Sequence, residues 1–365
     1  MKYLKKIILT TLCTASLLSV AACGTTPGEG KNEPPAAPQA SEAKPAESAK
    51  PVEAAPQLSE EEAWKLEKAY GTELKYFYDG GNCTSAVYFA DVLGYYEEAG
   101  LNMQGFSSNS SIEALGTNAV QLVISHISTM LVPATNGVDL SFVAGAHIGC
   151  KSLYVLTESG YESTADLKGL KISAPNGIGA SDYNILVRFF DKDGIDPLTE
   201  VNLVQVETSA CVTAMQNGDI AGALLSDTYA YKMVQDGLIK PVRSLLDEDF
   251  LDEPCCVVAM NATFIKENPI TAKKVTECVK KAGEWMRNNP EEAVQRLLDD
   301  GKISGDFDMN VELWKALEFG LTDEFTENGL AQITEDYIKL GLLTAYDDPN
   351  EVMSFVWTPM APETK

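Results

Sequence analysis

The sequence predicts an α/β protein: two α/β units joined by two extended crossings and followed by a helical tail. Three observations carry that expectation. Strand-like and helix-like segments alternate over residues 73–235, one more apolar strand follows at 255–260, and everything after Ala262 has helical periodicity. Strands that alternate with helices imply parallel-rich sheets with helices packed on their faces.

Residues 73–78 alternate apolar and polar side chains, as a half-buried strand does. Over 85–99, Ala86, Phe89, Ala90, Leu93 and Tyr96 fall on one helical face, and Gly100 stands where a C-terminal cap belongs. Residues 102–106 read as the next strand, and Ser110-Ser111-Ile112-Glu113 as a capping box that opens a helix. Segments 119–124 and 139–144 are apolar enough for buried strands. After Cys150 an extended segment covers 153–157, and the alternation then restarts: strands at 170–174, 201–206 and 220–225, helices at 181–192, 209–217 and 226–235. In the tail, Asn289-Pro290, the stretch 301–305 and Gly329 separate the expected helices.

The N-terminus has the anatomy of a secretory signal: Lys2, Lys5 and Lys6, an apolar run over 7–20, then small residues. Val20-Ala21-Ala22-Cys23 resembles the lipobox of bacterial lipoproteins. That resemblance implies removal of residues 1–22 and acylation of Cys23, palmitate included, which anchors the chain to the cell membrane. Several acyl chains, each worth about 0.8 kcal/mol per buried methylene, hold a protein on a bilayer where one chain binds only marginally. Residues 23–56 are rich in Pro, Ala, Glu, Lys and Ser, with Val52 as the one large apolar residue, so they read as a disordered linker.

With 53 acidic against 28 basic residues the formal net charge is −25, and loss of the three signal lysines makes it −28. Nucleic acid and anionic lipid surfaces are poor candidates for partners on that balance, and no nucleic acid is expected. Beyond the signal, no apolar run reaches the roughly 18 residues that a spanning helix needs. Six cysteines follow the linker: Cys83, Cys150, Cys211, Cys255, Cys256 and Cys278. None forms a C-x-x-C, so free thiols are expected, with no metal and no cofactor. If one bridge exists, Cys150 and the Cys255-Cys256 pair are the place for it.

Four motifs in order identify a family resemblance. They are YFADVLGYYEEAGL at 88–101, ADLKGLKI at 165–172, MQNGDI at 215–220 and FIKENP at 264–269. Residues 73–345 thereby resemble the substrate-binding lipoproteins of ABC importers in the nitrate/sulfonate/taurine branch, which have the two-domain, type II periplasmic-binding fold. The resemblance implies one domain from 57–150 plus 255–365, a second from 151–254, two hinge crossings and a C-terminal helical tail. It also implies a small solute in the interdomain cleft, no enzymatic activity, a monomer, an extracytoplasmic location, and an ABC permease and ATPase as partners. The crossings are expected near Gly149-Cys150-Lys151 and Glu253-Pro254-Cys255.

In parallel α/β sheets the ligand lies beyond the carboxyl ends of the strands, where helix N-termini point. Those ends carry Asn82, Cys83 and Thr84, then Ser125 and His126, then Asn176 and Ser181, then Glu207, and lastly Asp227. Tyr88, Tyr183 and Tyr229 stand in the first turns of the following helices, where a ring suits a flat solute or an ammonium group. His126, in the loop that the resemblance places at the pocket, and His147 both follow strands at their carboxyl ends. Ser85, Ser181 and Ser209 either cap their helices or help hold an anionic group. No strand end carries Arg or Lys, Lys151 at the first crossing being the nearest base, so a multiply charged anion is disfavoured. Gly177-Ile178-Gly179 lacks the third glycine and the lysine of a nucleotide loop and reads as a close-approach turn. A zwitterion, a sulfonate or carboxylate, and a heteroaromatic ring all fit. Two alternatives share the fold: a sensor or surface lipoprotein, and an enzyme resembling thiamine-pyrimidine-precursor synthases, whose longer cysteine motif this chain lacks.

Overall fold

Ten strands sort into two five-stranded sheets in the computed structural model, which describes residues 58–361. The expected signal, the lipidated Cys23 and the linker lie outside the described residues. In chain order the strands are β1 (Glu73–Phe77), β2 (Asn102–Phe106), β3 (Leu122–His126), β4 (Ser141–His147), β5 (Lys151–Leu156), β6 (Lys171–Ser173), β7 (Asn202–Val204), β8 (Gly222–Ser226), β9 (Ile239–Ser244) and β10 (Cys256–Met260). The first sheet runs β2-β1-β3-β10-β4 and the second β7-β6-β8-β5-β9.

Both sheets are mixed, and the reason lies in the crossings. Within each sheet the βαβ-linked strands are parallel: β1 with β2 and β3, β6 with β7 and β8. The strand that arrives from the other sheet runs antiparallel: β10 against β3 and β4, β5 against β8 and β9. A chain that leaves one sheet at its carboxyl edge and enters the next at that same edge has to travel the opposite way. Residues 148–150 and 245–255 make these two passages. The carboxyl ends of the parallel strands therefore gather where the chain crosses.

Helices cover both sheets: α1 (Glu60–Trp64), α2 (Ala86–Val92), α3 (Tyr95–Glu98), α4 (Ser111–Gly116), α5 (Ile127–Thr135), α6 (Ser181–Lys192), α7 (Thr208–Gln216), α8 (Asp227–Gln235), α9 (Ala262–Glu267), α10 (Pro269–Asn288), α11 (Pro290–Asp299), α12 (Phe307–Ala316), α13 (Asp323–Lys339) and α14 (Pro349–Val356). The longest, α10, begins on Pro269, where a missing N–H costs nothing, and buries Val275, Val279, Ala282 and Met286. Fully buried Val123, Phe142, Val143, Val257 and Val258 fill the first sheet, and Leu153, Val155, Leu224, Phe189 and Phe190 fill the second region.

Several boundaries differ from the sequence expectation. The helix expected over 85–99 is two helices, because Gly94 adopts φ +77° between them. The strand expected at 119–124 starts at Leu122, since the N–H groups of Ala119 and Val120 bond back to the Ala114 carbonyl. Neither α5, which contains Pro133, nor β9 was anticipated. Gly329 does not break the tail but lies inside α13. No helix among the described residues is long and apolar enough to cross a membrane.

Candidate solute cleft and thiol cluster

The first passage is strained. Cys150 holds φ +117°, a left-handed conformation that a non-glycine residue adopts only under constraint, and Gly149 precedes it at φ +71°. The second passage is tied to the first sheet by hydrogen bonds: the Cys255 N–H donates to the His147 carbonyl at 2.9 Å, and the Ile127 N–H to the Cys255 carbonyl at 3.0 Å. In the sheet register Cys256 sits opposite His126 on one side and His147 on the other. The chain's only two histidines thus flank one cysteine of an adjacent pair.

The side chains follow the register. The Cys150 and Cys255 sulfurs are 3.0 Å apart, and those of Cys255 and Cys256 are 4.0 Å apart. His147 Nδ1 lies 2.9 Å from the Ile148 carbonyl oxygen, an acceptor only, so Nδ1 carries the proton and Nε2 the lone pair. His126 is the reverse: its Nδ1 accepts from the Ser128 N–H at 3.1 Å, which leaves the proton on Nε2. Both Nε2 atoms are buried without a hydrogen-bond partner. Burial, reinforced by the Lys151 charge, pushes His126 well below the usual histidine range. Burial also opposes the His147 cation, but Cys83 beside it and the Ile148 carbonyl raise it above the usual range. Hydrogen bonds from Cys150 and Cys255 draw the Cys256 thiol down to about 6, while burial and hydrogen bonds with Cys150 and Cys256 push Cys255 up.

On the first-sheet side, Asn82 follows β1 and is 6% exposed, with neither its Oδ1 nor its Nδ2 partnered. Cys83 and Thr84, both half-buried, continue that loop, and Ser125 is half-buried in β3 opposite Val257. On the second-sheet side, Lys151 and the buried Asp182 form an ion pair, and Asp182 also accepts from the Asn176 N–H at 3.0 Å. Asn176 Nδ2 reaches Ser181 Oγ at 3.4 Å. Across the two sides, Asn184 Nδ2 donates to the Ser128 carbonyl at 3.0 Å.

None of the three helix-opening serines makes the cap bond. Ser85 Oγ donates to the Asn82 carbonyl at 2.8 Å, Ser181 is the first residue of α6 behind Ala180, and Ser209 follows the N-cap Glu207 in α7. The loop 175–180 turns at Gly177 and Gly179 with φ +97° and +79°.

Other expected residues fall away from this centre. Tyr88 is buried, stacks on Tyr78 at 5.2 Å and donates its hydroxyl to Asp300, so its ring belongs to the first-sheet packing. Tyr183 is half-buried against the core. Glu207 is exposed, and Tyr229, 40% exposed, bonds the Thr208 carbonyl at 3.3 Å. Asp227, by contrast, stays beside the centre: its N–H donates to the Cys150 carbonyl at 3.1 Å, and it borders an opening of about 230 Å³ between β5, β9 and α12, lined also by Cys150, Ser152, Leu246 and Leu317. Its carboxylate accepts from the Tyr154 hydroxyl at 2.7 Å, and burial raises it above the usual range. Sequence reasoning missed Asp182 as a site residue, although Ser181-Asp182 at a helix start was legible. It missed the convergence of the thiols and imidazoles because spacing along a chain does not report pairing across a sheet.

Residues 83–293, more than half of the chain, match the family model described as NMT1/THI5 like. A Brucella abortus (strain 2308) protein whose name assigns it a provisional binding role is 25% identical over 269 residues, 70% of this chain and 76% of that one. Among solved structures, the Escherichia coli periplasmic aliphatic sulphonate binding protein SsuA aligns with a TM-score of 0.64 at 16% identity, over 80% of this chain and 94% of its own. The alkanesulfonate-binding protein SsuA of Xanthomonas axonopodis pv. citri, bound to MOPS, aligns at 0.61 with 15% identity, over 76% and 95%. The fold is that of the type II periplasmic binding proteins, as the sequence resemblance implied, and these similar proteins are binding proteins. The chain belongs to the NMT1/THI5-like family.

Proposed function

We propose that the protein is the extracytoplasmic solute-binding component of an ABC importer: it captures a small organic solute between its two sheet-centred domains and hands the closed form to a permease and ATPase. The observation that carries this reading is Asn82, a buried amide with both polar atoms unspent at the carboxyl end of β1. A buried polar group without partners costs about 1–3 kcal/mol, a penalty that a ligand bearing a donor and an acceptor removes. The Lys151–Asp182 pair neutralises the nearest base, which supports a monoanion or zwitterion over a dianion. The sulfonate-binding neighbours, one of them holding the zwitterion MOPS, support the same solute range. No covalent chemistry is required of this site, so the reading is non-enzymatic.

Residues 57–365 should be screened by thermal shift against aliphatic sulfonates, amino-acid-like zwitterions and pyrimidine-like heterocycles. A solute at 100 times its Kd adds about 2.7 kcal/mol to stability. The shift should shrink in Asn82→Ala, and if no solute moves the melt of metal-free or metal-loaded protein, the capture reading fails. Lipid attachment at Cys23 completes the proposal. Cys23→Ser should move the full chain from the membrane to the soluble fraction, and retention on membranes would argue against the anchor.

A further inference from the structure

We propose that His147, Cys150, Cys255 and Cys256 form a binding site for a thiophilic d10 metal ion, Zn2+ in the first instance, set between the two crossings. This goes beyond solute capture and does not depend on which solute is bound. The donor atoms are gathered before any ion arrives. A ring nitrogen of His147 and the Cys255 and Cys256 sulfurs lie mutually within 4.8 Å, while Cys150, which groups with His126 and Cys255, brings its Sγ to 3.0 Å from Cys255 Sγ. A tetrahedral zinc with Zn–S near 2.3 Å separates its sulfurs by roughly 3.8 Å, so Cys150 Sγ would draw back from Cys255 and swing toward His147 to complete the shell.

The two histidines take different roles. His147 donates from Nδ1 to a backbone carbonyl and presents a bare Nε2 lone pair, the arrangement by which an outer hydrogen bond orients a metal-ligating imidazole. The proton on His126 Nε2 disqualifies that atom as a ligand. With the Cys150 and Cys255 sulfurs inside 4.8 Å of a His126 ring nitrogen, the imidazole stands beside the thiols as an outer neighbour of the ion. A Cys150–Cys255 disulfide is the competing use of the cluster. It would leave the buried His147 lone pair, the His126 N–H and the Cys256 thiol all without function, whereas one ion engages the whole set. The site departs from the absence of metal expected from the sequence, because only the register of β10 beside β4 brings His147 and Cys150, three residues apart, to the adjacent Cys255 and Cys256.

One bound ion would join a crossing residue, Cys150, to the other crossing at Cys255 and Cys256. The chain would be held at the point where a hinge has to bend.

The test uses the full chain, reduced and metal-free under anaerobic conditions. Addition of Co2+ as a spectroscopic stand-in should give intense tetrahedral d–d bands and thiolate-to-cobalt charge transfer that saturate at one equivalent. Zn2+ should then displace it, and X-ray absorption of the zinc form should show three sulfur and one nitrogen neighbour. With site-mapped alkylation, one equivalent of Zn2+ should slow labelling of Cys150, Cys255 and Cys256 at least ten-fold while the rates of the buried Cys211 and Cys278 stay unchanged. His147→Gln should weaken the apparent metal affinity by more than ~100-fold, since even outer-shell partners are worth roughly 10–100-fold, and Cys211→Ser should leave it intact. The proposal is overturned if the unaltered chain shows no charge-transfer band, if Zn2+ protects none of the three thiols, or if a Cys150–Cys255 disulfide is present and the reduced protein still retains no metal. The first three measurements need no variant, so a misfolded substitution does not leave the question open.

Discussion

Arg188 shows how much one buried side chain connects. It projects from α6 with a side chain 6% exposed, donates to Glu253 at 2.7 Å in the second crossing, and donates from two nitrogens to Asp336 on α13 at 2.7 and 3.1 Å. Phe250 lies 5.2 Å from the guanidinium carbon. Arg188 therefore joins an element of the second sheet region, a crossing and a helix packed on the first sheet. Removal of one member of a buried ion set strands the others without compensation, at roughly 3–5 kcal/mol. Arg188→Ala should lose that amount in urea unfolding, while Arg287→Ala, whose guanidinium makes one exposed 3.3 Å bond to the Gly320 carbonyl, should change little. Equal costs for the two would contradict the triad's role. Nothing in the sequence marks Arg188 for this. It falls within the helix expected over 181–192 without a signal of its own, and its burial is matched by the Glu253 and Asp336 carboxylates that two other elements bring to it.

At the scale of elements, helix and strand alternation was legible because amphipathic periodicity is local. The helix 181–192 was placed at its observed bounds, whereas β9 was hidden by Pro241 and Arg243, which suit an edge strand better than a core one. The misreading of Gly329 is instructive. As a local signal it suggests a helix break, yet it lies in the middle of α13 for reasons of contact. A Cβ there would land on Pro254 and come within 2.9 Å of both the Asp252 carbonyl oxygen and the Glu253 Cα. The glycine lets α13 touch the backbone of the second crossing. In an exposed helix interior Gly→Ala gains about 1 kcal/mol, so Gly329→Ala separates the two readings by sign. The contact reading expects a loss of about 1–3 kcal/mol, the usual cost of overpacking, and a higher melting temperature in the variant would restore the local one. The candidate site was partly legible for the same reason. Strand ends announce Asn82, Ser181 and Asp227, but the cysteine and histidine cluster exists only through the register of β10 between β3 and β4.

For the molecule as a whole, topology sends both crossings past the carboxyl ends of both sheets, so the proposed solute cleft, the thiol cluster and the Arg188 triad occupy one neighbourhood. Acid stability is a whole-molecule readout of that neighbourhood, and the triad's two carboxylates act on it with opposite signs. Burial opposes ionisation of Asp336, but the Arg188 charge and hydrogen bond, with Lys192 adding, hold it below the usual range. Its contribution is fully present above the ordinary aspartate value of about 3.9 and is lost as pH falls through the lower folded value. For Glu253 burial wins over the same arginine, with Asp336 adding repulsion, and the carboxyl is held above the usual range. The folded state then binds a proton more readily than the unfolded chain, so stability rises as pH falls through the folded value of Glu253 toward about 4.3. Glu253→Gln removes that rise and leaves the deeper acid loss through Asp336. The difference in unfolding free energy between the parent and Glu253→Gln should therefore shift in the parent's favour as pH falls from neutrality toward the ordinary glutamate value of about 4.3, then stay constant below it. Urea midpoints measured for both proteins across that range decide the matter, because subtraction cancels every carboxylate that does not touch Glu253. A difference that does not vary with pH would mean that Glu253 ionises as freely in the fold as in the unfolded chain, and that burial at the crossing does not govern it.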